Sequence, residues 1–250
     1  MIFYFSGTGN SYQAALAMCA PGEEPLDLAA CLREGRREFS PGEGESLGFV
    51  CPVYYGGLPS LVPEFVASLR LTGPADYVFA LLTCASSAAG AAGMLEKALG
   101  ERGIPLDAAY TVIMPENDVL HYTVAPEEER DAILGEASAA LELIRRSVAE
   151  RRRLGLHLPE RGRQITEAAY PYYERDRATK EFYIDEQCVG CGKCVERCPV
   201  EAMVMEEGRP RWVKDKCVLC MACIRCGAVQ YGGLTRGKKR YVNPILKSCH

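Results

Sequence analysis

The sequence has no apolar run approaching the roughly 20 residues needed to cross a bilayer. It opens on Met1-Ile-Phe-Tyr-Phe5 with no basic segment ahead of that apolar run, so no secretory leader is expected there. There is no general excess of basic charge either: 29 Lys/Arg stand against 33 Asp/Glu, a formal net charge of −4. The acidity is uneven. Residues 181–250 carry 12 basic and 8 acidic residues, leaving 17 and 25 in residues 1–180. An acidic first part argues against nucleic-acid binding, which requires a basic footprint. Neither paired catalytic carboxylates nor a Ser-His-Asp set stands out from the motifs. The expectation is a protein of the reducing cytoplasm, with no membrane and no nucleic-acid partner.

Cysteine, in contrast, is abundant. Eight of the 13 fall in two tight groups, while Cys19, Cys31, Cys51, Cys84 and Cys249 are scattered as reduced thiols are. The first group, Cys188-Val-Gly-Cys191-Gly-Lys-Cys194-Val-Glu-Arg-Cys198-Pro199, matches C-x2-C-x2-C-x3-C-P letter for letter. Three thiolates on one loop can wrap three irons of a 4Fe–4S cube. The fourth, ahead of a proline, turns away to the other cluster in two-cluster ferredoxins. Structural zinc favours two separated cysteine pairs instead. The second group, Cys217-Val-Leu-Cys220-Met-Ala-Cys223-Ile-Arg-Cys226-Gly227, repeats the pattern 29 residues on, but its fourth cysteine arrives one residue early and glycine replaces proline. Two 4Fe–4S clusters are expected. Cys226 would complete the first with Cys188, Cys191 and Cys194, and Cys198 the second with Cys217, Cys220 and Cys223. A free Cys226, with Cys249 or no protein ligand in its place, is the alternative.

Between the groups, residues 206–209 read as a hairpin turn. Trp212 reads as core, with cluster shielding as the sharper option. The Arg236-Gly-Lys-Lys-Arg240 run reads as a solvated face, with docking of an acidic redox partner as the alternative.

The first half alternates apolar runs with helical stretches. Strands are expected at 2–5, near 24–28, and at 47–54, 77–83 and 108–114. Helices are expected at 11–20, 61–71 and 90–99 and within 127–153. Uninterrupted strands between helices imply a parallel sheet covered on both faces. The expected division is an α/β domain over 1–153, a connector over 154–180 and a smaller α+β cluster domain over 181–250. Tyr170, Tyr172 and Tyr173 are expected to pack between the modules.

The turn after the first strand is Ser6-Gly7-Thr8-Gly9-Asn10-Ser11. Tyr12 stands where a Rossmann fingerprint needs its third glycine, and no Gly-Lys-Ser/Thr follows as in a Walker loop. The loop offers three hydroxyls, an amide and no cation, at a helix start where backbone N–H groups face an anion. That suits a phosphate monoester; an ordinary turn capped by Ser11 is the other reading.

On these motifs the chain resembles fused flavodoxin–ferredoxin proteins of anaerobic microbes. Residues 1–11 resemble a flavodoxin FMN-phosphate loop, and Cys188-to-Pro199 a bacterial ferredoxin. The resemblance implies a sheet of order 2-1-3-4-5 with non-covalent FMN at the carboxyl ends of its strands. It implies a second loop containing Pro52, Tyr54, Tyr55, Gly56 and Gly57, and a third from Thr83 through Ser86 to Gly90, edging the flavin ring. Tyr54 or Tyr55 would stack on the ring, and the Gly56-Gly57 peptide would offer its carbonyl to the reduced flavin. The third loop, with Cys84-Ala-Ser86-Ser87, lacks the expected glycine-rich text. Met114-Pro115-Glu116-Asn117 also resembles that family. The implied function is one-electron transfer between clusters and flavin, exchanged with redox partner proteins. The rivals are a flavin-dependent reductase of a small substrate or quinone, with His121 or Tyr122 as its acid, and a redox or iron sensor.

Overall fold

The structure is a computed structural model that describes residues 1–154 and 160–246. The chain divides into two compact units. The larger comprises Met1–Ser6, Asn10–Pro115 and Glu128–Tyr173; the smaller comprises Gly7–Gly9, Glu116–Glu127 and Glu174–His250.

The larger unit is built on five parallel strands: β1 (Ile2–Tyr4), β2 (Leu26–Asp27), β4 (Ser46–Pro52), β6 (Tyr77–Cys84) and β7 (Ala108–Ile113). Their spatial order is β2-β1-β4-β6-β7, which is 2-1-3-4-5 when only sheet strands are counted. This is the doubly wound, flavodoxin-like arrangement. Every residue of β6 is buried, as a central strand covered on both faces must be.

Side chains alternate between the two faces. On one, Ile2, Val50, Phe79 and Leu81 meet Ala14 and Ala15 of helix α1 (Asn10–Met18) and Leu141, Ile144 and Val148 of α5 (Glu127–Ala149). On the other, Phe3 lies 5.6 Å from Phe49 and 5.0 Å from Phe65 of helix α3 (Leu61–Ser68). Each fully buried phenylalanine contributes about 1.5–3 kcal/mol by leaving water. Helix α4 (Ala91–Gly100) buries Ala91, Ala92, Leu95 and Leu99.

Three features depart from the sequence reading. Strand β2 is only two residues long, because Asp27 ends it and caps helix α2 (Leu28–Arg33), its carboxylate accepting from the Ala29 N–H at 2.8 Å. Two-residue strands β3 (Glu38–Phe39) and β5 (Arg70–Leu71) pair beside the main sheet and have no periodicity to reveal them. Most of the expected connector is helical: α6 spans Glu160–Asp176, with Pro171 inside it.

The smaller unit has two antiparallel pairs. β8 (Phe182–Ile184) pairs with β11 (Val229–Tyr231), and β9 (Met203–Glu206) with β10 (Arg209–Trp212). The turn of the second pair places Glu207 at φ 48° and Gly208 at φ 76°, the two left-handed residues that a tight hairpin needs. Among the described residues, no helix is long and apolar enough to cross a membrane.

Candidate functional site

The first cysteine group lies on a loop entering the four-residue helix α7 (Lys193–Glu196). Gly190 and Gly192 both have positive φ, and a Cβ on Gly190 would stand 2.5 Å from the Gly208 carbonyl. The loop therefore needs glycine to lie against the hairpin. In the second group, Cys217, Cys220 and Cys223 lead into a 3-10 turn at Ile224–Cys226, ended by Gly227 at φ 83°.

Folding sorts the eight thiols into crossed quartets. Cys188, Cys191, Cys194 and Cys226 line one cavity, closed by Ile184, Pro210 and Val229. Cys198, Cys217, Cys220 and Cys223 line a second, closed by Phe182, Met203, Trp212 and Leu219. The fourth cysteine of each sequence group thus faces the other group's trio. Among the described residues no three or more His, Cys, Asp or Glu converge on a point that would hold a single metal ion.

The two quartets differ in exposure. Cys191 and Cys226 of the first are exposed, whereas Cys198 and Cys220 of the second are buried. Burial pushes the Cys217 thiol up to about 11 and that of Cys220 up to about 12. Ligation requires the thiolate, so binding at this quartet has to displace protons. Two backbone donors already point at sulfur: Ala202 N–H reaches Cys198 Sγ at 3.1 Å, and Leu219 N–H reaches Cys217 Sγ at 3.3 Å. Trp212 stacks on Phe182 at 5.5 Å and also lines the second cavity.

The basic run is more than a solvated face. Lys238 Nζ donates to the carbonyls of Val119 and Leu120 at 2.8 and 3.1 Å. Arg240 reaches Ile224 O and Gln230 Oε1. His121 pairs with Asp118 at 2.7 Å and Tyr122 is exposed.

The loop expected to hold a phosphate is tightly engaged. In the smaller unit, Thr8 Oγ1 accepts from Asn117 Nδ2 at 2.6 Å and the Thr8 carbonyl from Asn243 N–H at 2.8 Å. A Cβ on Gly7 would lie 2.0 Å from the Cys220 carbonyl, and one on Gly9 2.8 Å from Asn243 Cβ. In the larger unit, Asn10 Nδ2 donates to Pro115 O at 2.9 Å, and Ser11 Oγ lies 2.7 Å from Thr83 Oγ1. Ser11 is therefore inside α1 rather than capping it. Ser6 is half-buried.

The second loop follows Pro52 and closes on itself. Tyr54 and Gly57 exchange both backbone hydrogen bonds at 2.9 Å, around Tyr55 at φ 50° and Gly56 at φ 74°. Helix α6 lies on it. Thr166 Oγ1 donates to Gly56 O at 2.5 Å and accepts from Gly90 N–H at 2.8 Å, joining the second loop to the third. Tyr170 OH donates to Leu58 O at 2.6 Å, and Tyr173 OH accepts from Ser60 N–H at 3.1 Å. Ser86 is exposed. Tyr170 and Tyr173 thus pack on the loop carrying Tyr54 and Tyr55, while Tyr172 is exposed. Gly162, Thr166, Tyr170 and Tyr173 recur at helical spacing, and this stripe was the available signal for α6.

Residues 182–204 match the 4Fe-4S binding domain family, which covers the first cysteine group. No curated protein matches the chain. Two of the solved structures similar to it are the following. The Trp repressor binding protein from Bacillus subtilis is 12% identical, with a TM-score of 0.36, over 58% of this chain and 96% of that one. The rubredoxin oxygen:oxidoreductase from the anaerobe Desulfovibrio gigas is 15% identical, with a TM-score of 0.31, over 59% of this chain and 36% of that one.

Proposed function

We propose that the chain is an electron carrier holding two 4Fe–4S clusters. Cys188, Cys191, Cys194 and Cys226 would hold one, and Cys198, Cys217, Cys220 and Cys223 the other. The observation that carries this reading is the sorting of eight cysteines into two cavities of four, each taking its fourth member from the other sequence group. The donor set fits: eight thiols, N–H donors directed at two of the sulfurs, and apolar walls. When bound, each cluster supplies one-electron redox chemistry.

The protein's own contribution is to set potential and access. N–H donors to Cys198 and Cys217 spread the negative charge of their sulfurs, and hydrogen bonding and exposure are the levers that tune such centres. The Trp212–Phe182 stack limits water at the second quartet. Exposed Cys191 and Cys226, with Val189 beside them 86% exposed, favour the first quartet as the point of exchange with a redox partner protein.

FMN, implied by the resemblance, would rest on Ser6, Thr8, Asn10, Ser11 and the loops at 54–57 and 83–90. As these loops stand, the Thr8 and Ser11 hydroxyls, the Asn10 amide and the Gly56 carbonyl are engaged by other residues of the chain, so no electron step is routed through a flavin. The reductase alternative depends on that flavin and has no separate observation in its favour. The test is iron and acid-labile sulfide analysis of anaerobically purified protein, with electron paramagnetic resonance of the reduced form. About eight irons per chain are expected from two cubes. About four would leave one quartet without a cluster and sink the two-cluster reading.

A further inference from the structure

Helix α6 answers a question raised by the loops of the α/β unit. In the resemblance, the second and third loops edge a flavin ring; here one helix ties them together. Thr166 is the hinge point of that tie, accepting from Gly90 of the third loop and donating to Gly56 of the second. The Gly56 carbonyl belongs to the peptide that the resemblance expects to face reduced flavin, and Thr166 already holds it. Glycine is required along this contact. A Cβ on Gly57 would stand 2.4 Å from the Tyr170 ring, one on Gly90 2.7 Å from Thr166 Oγ1, and one on Gly162 2.8 Å from the Ala89 carbonyl. Tyr173 is fully buried beside Tyr54 and Tyr55, at ring separations of 6.0 and 5.9 Å. The aromatic surface of this loop therefore already has an aromatic partner from its own chain.

We infer that α6 is a built-in occupant of the face that would seat an isoalloxazine ring, so that helix and flavin exclude one another. With α6 docked, the α/β unit is a scaffold and holds no flavin. Flavin affinity is then reduced by the fraction of molecules whose face is open.

The test is an FMN titration of the full cluster-loaded chain, followed by quenching of flavin fluorescence. It is compared with Thr166→Ala/Tyr170→Ala/Tyr173→Ala, which removes the side chains that dock the helix. A face covered in more than about 90% of molecules predicts at least a tenfold tighter dissociation constant in the variant. Equal affinities, or tighter binding by the unaltered chain, would overturn the inference. Absence of binding by both at millimolar FMN would overturn it as well, since there would be no seat to contest. Thr166→Val guards against misfolding of the triple variant: it keeps the shape and removes both hydrogen bonds, and a smaller gain in the same direction is expected. Iron content is measured in each sample, so loss of the clusters is distinguishable from a change at the flavin face.

Discussion

Tyr170 and Gly57 are fitted to one another: the tyrosine ring fills the space a Cβ on Gly57 would take, while its hydroxyl donates to the neighbouring Leu58 carbonyl at 2.6 Å. Gly57→Ala should therefore destabilise the α/β unit, since its methyl group meets Tyr170 Cδ2 at 2.4 Å and Met94 Sδ at 2.8 Å. Overpacking of this kind costs about 1–3 kcal/mol. Thermal denaturation is the measurement, and Tyr170→Leu in the Gly57→Ala background should recover part of the loss through a non-additive double-mutant cycle. Simple additivity would separate the two residues.

Tyr170→Phe isolates the hydrogen bond from the ring. The ring stays, and the Leu58 carbonyl loses a donor in a half-buried setting. A loss of about 0.5–1.5 kcal/mol in chemical denaturation is expected. No change would mean that water replaces the hydroxyl and that the ring alone docks the helix.

How much of this was legible in the sequence depends on what each segment buries. Strands β4 and β6 are nearly continuous apolar runs because both sheet faces are covered, and their positions could be read directly. Helix α6 reads as connector in the sequence because its docking face is a glycine, Gly162, with Thr166, Tyr170 and Tyr173, residues with polar handles, and because Pro171 usually ends a helix. The repeated cysteine spacing suggests crossed sets of four, and the two cavities are lined in that crossed order. The shortening before Cys226 is absorbed by the 3-10 turn at Ile224–Cys226 and by Gly227 at φ 83°, a conformation that spacing alone does not reveal. The engagement of Thr8 by Asn117 and Asn243 joins segments over a hundred residues apart, and no local pattern encodes it.

Gly7→Ala tests whether the first glycine turn serves the second quartet. Its Cβ would lie 2.0 Å from the Cys220 carbonyl, a backbone atom with little freedom to yield. The strain should fall on the loop that carries Cys220 and leave Cys188, Cys191 and Cys194 untouched. Iron content is expected to drop toward about four per chain, one cube's worth, with the signal of the exposed cluster retained. Retention of the full iron content would show that the loop adapts and that this glycine answers to something else.

The fourth ligand of the exposed quartet is open to a direct comparison. Cys226 lines the same cavity as Cys188, Cys191 and Cys194, while the competing Cys249 lies outside the described residues. Cys194 is near enough to Cys226 and Cys188 for their charges, added to burial, to raise its pKa. Serine keeps the size of the side chain but is a poorer ligand to iron than a thiolate. Cys226→Ser should therefore leave the first cube with three thiolates and an iron that is readily lost, while Cys249→Ser should change nothing. Iron quantitation and the resonance of a three-iron cluster in oxidised Cys226→Ser distinguish the two. Full iron in Cys226→Ser with loss in Cys249→Ser would transfer the ligand role to the chain terminus. Loss in Cys198→Ser, in contrast, should strike the buried cube, because Cys198 lines the cavity with Cys217, Cys220 and Cys223. If the crossed arrangement holds, the two serine variants remove different signals although both alter the fourth cysteine of a sequence group. Were each group to close its own cube, the assignments would be reversed, with Cys198→Ser striking the exposed cluster and Cys226→Ser the buried one.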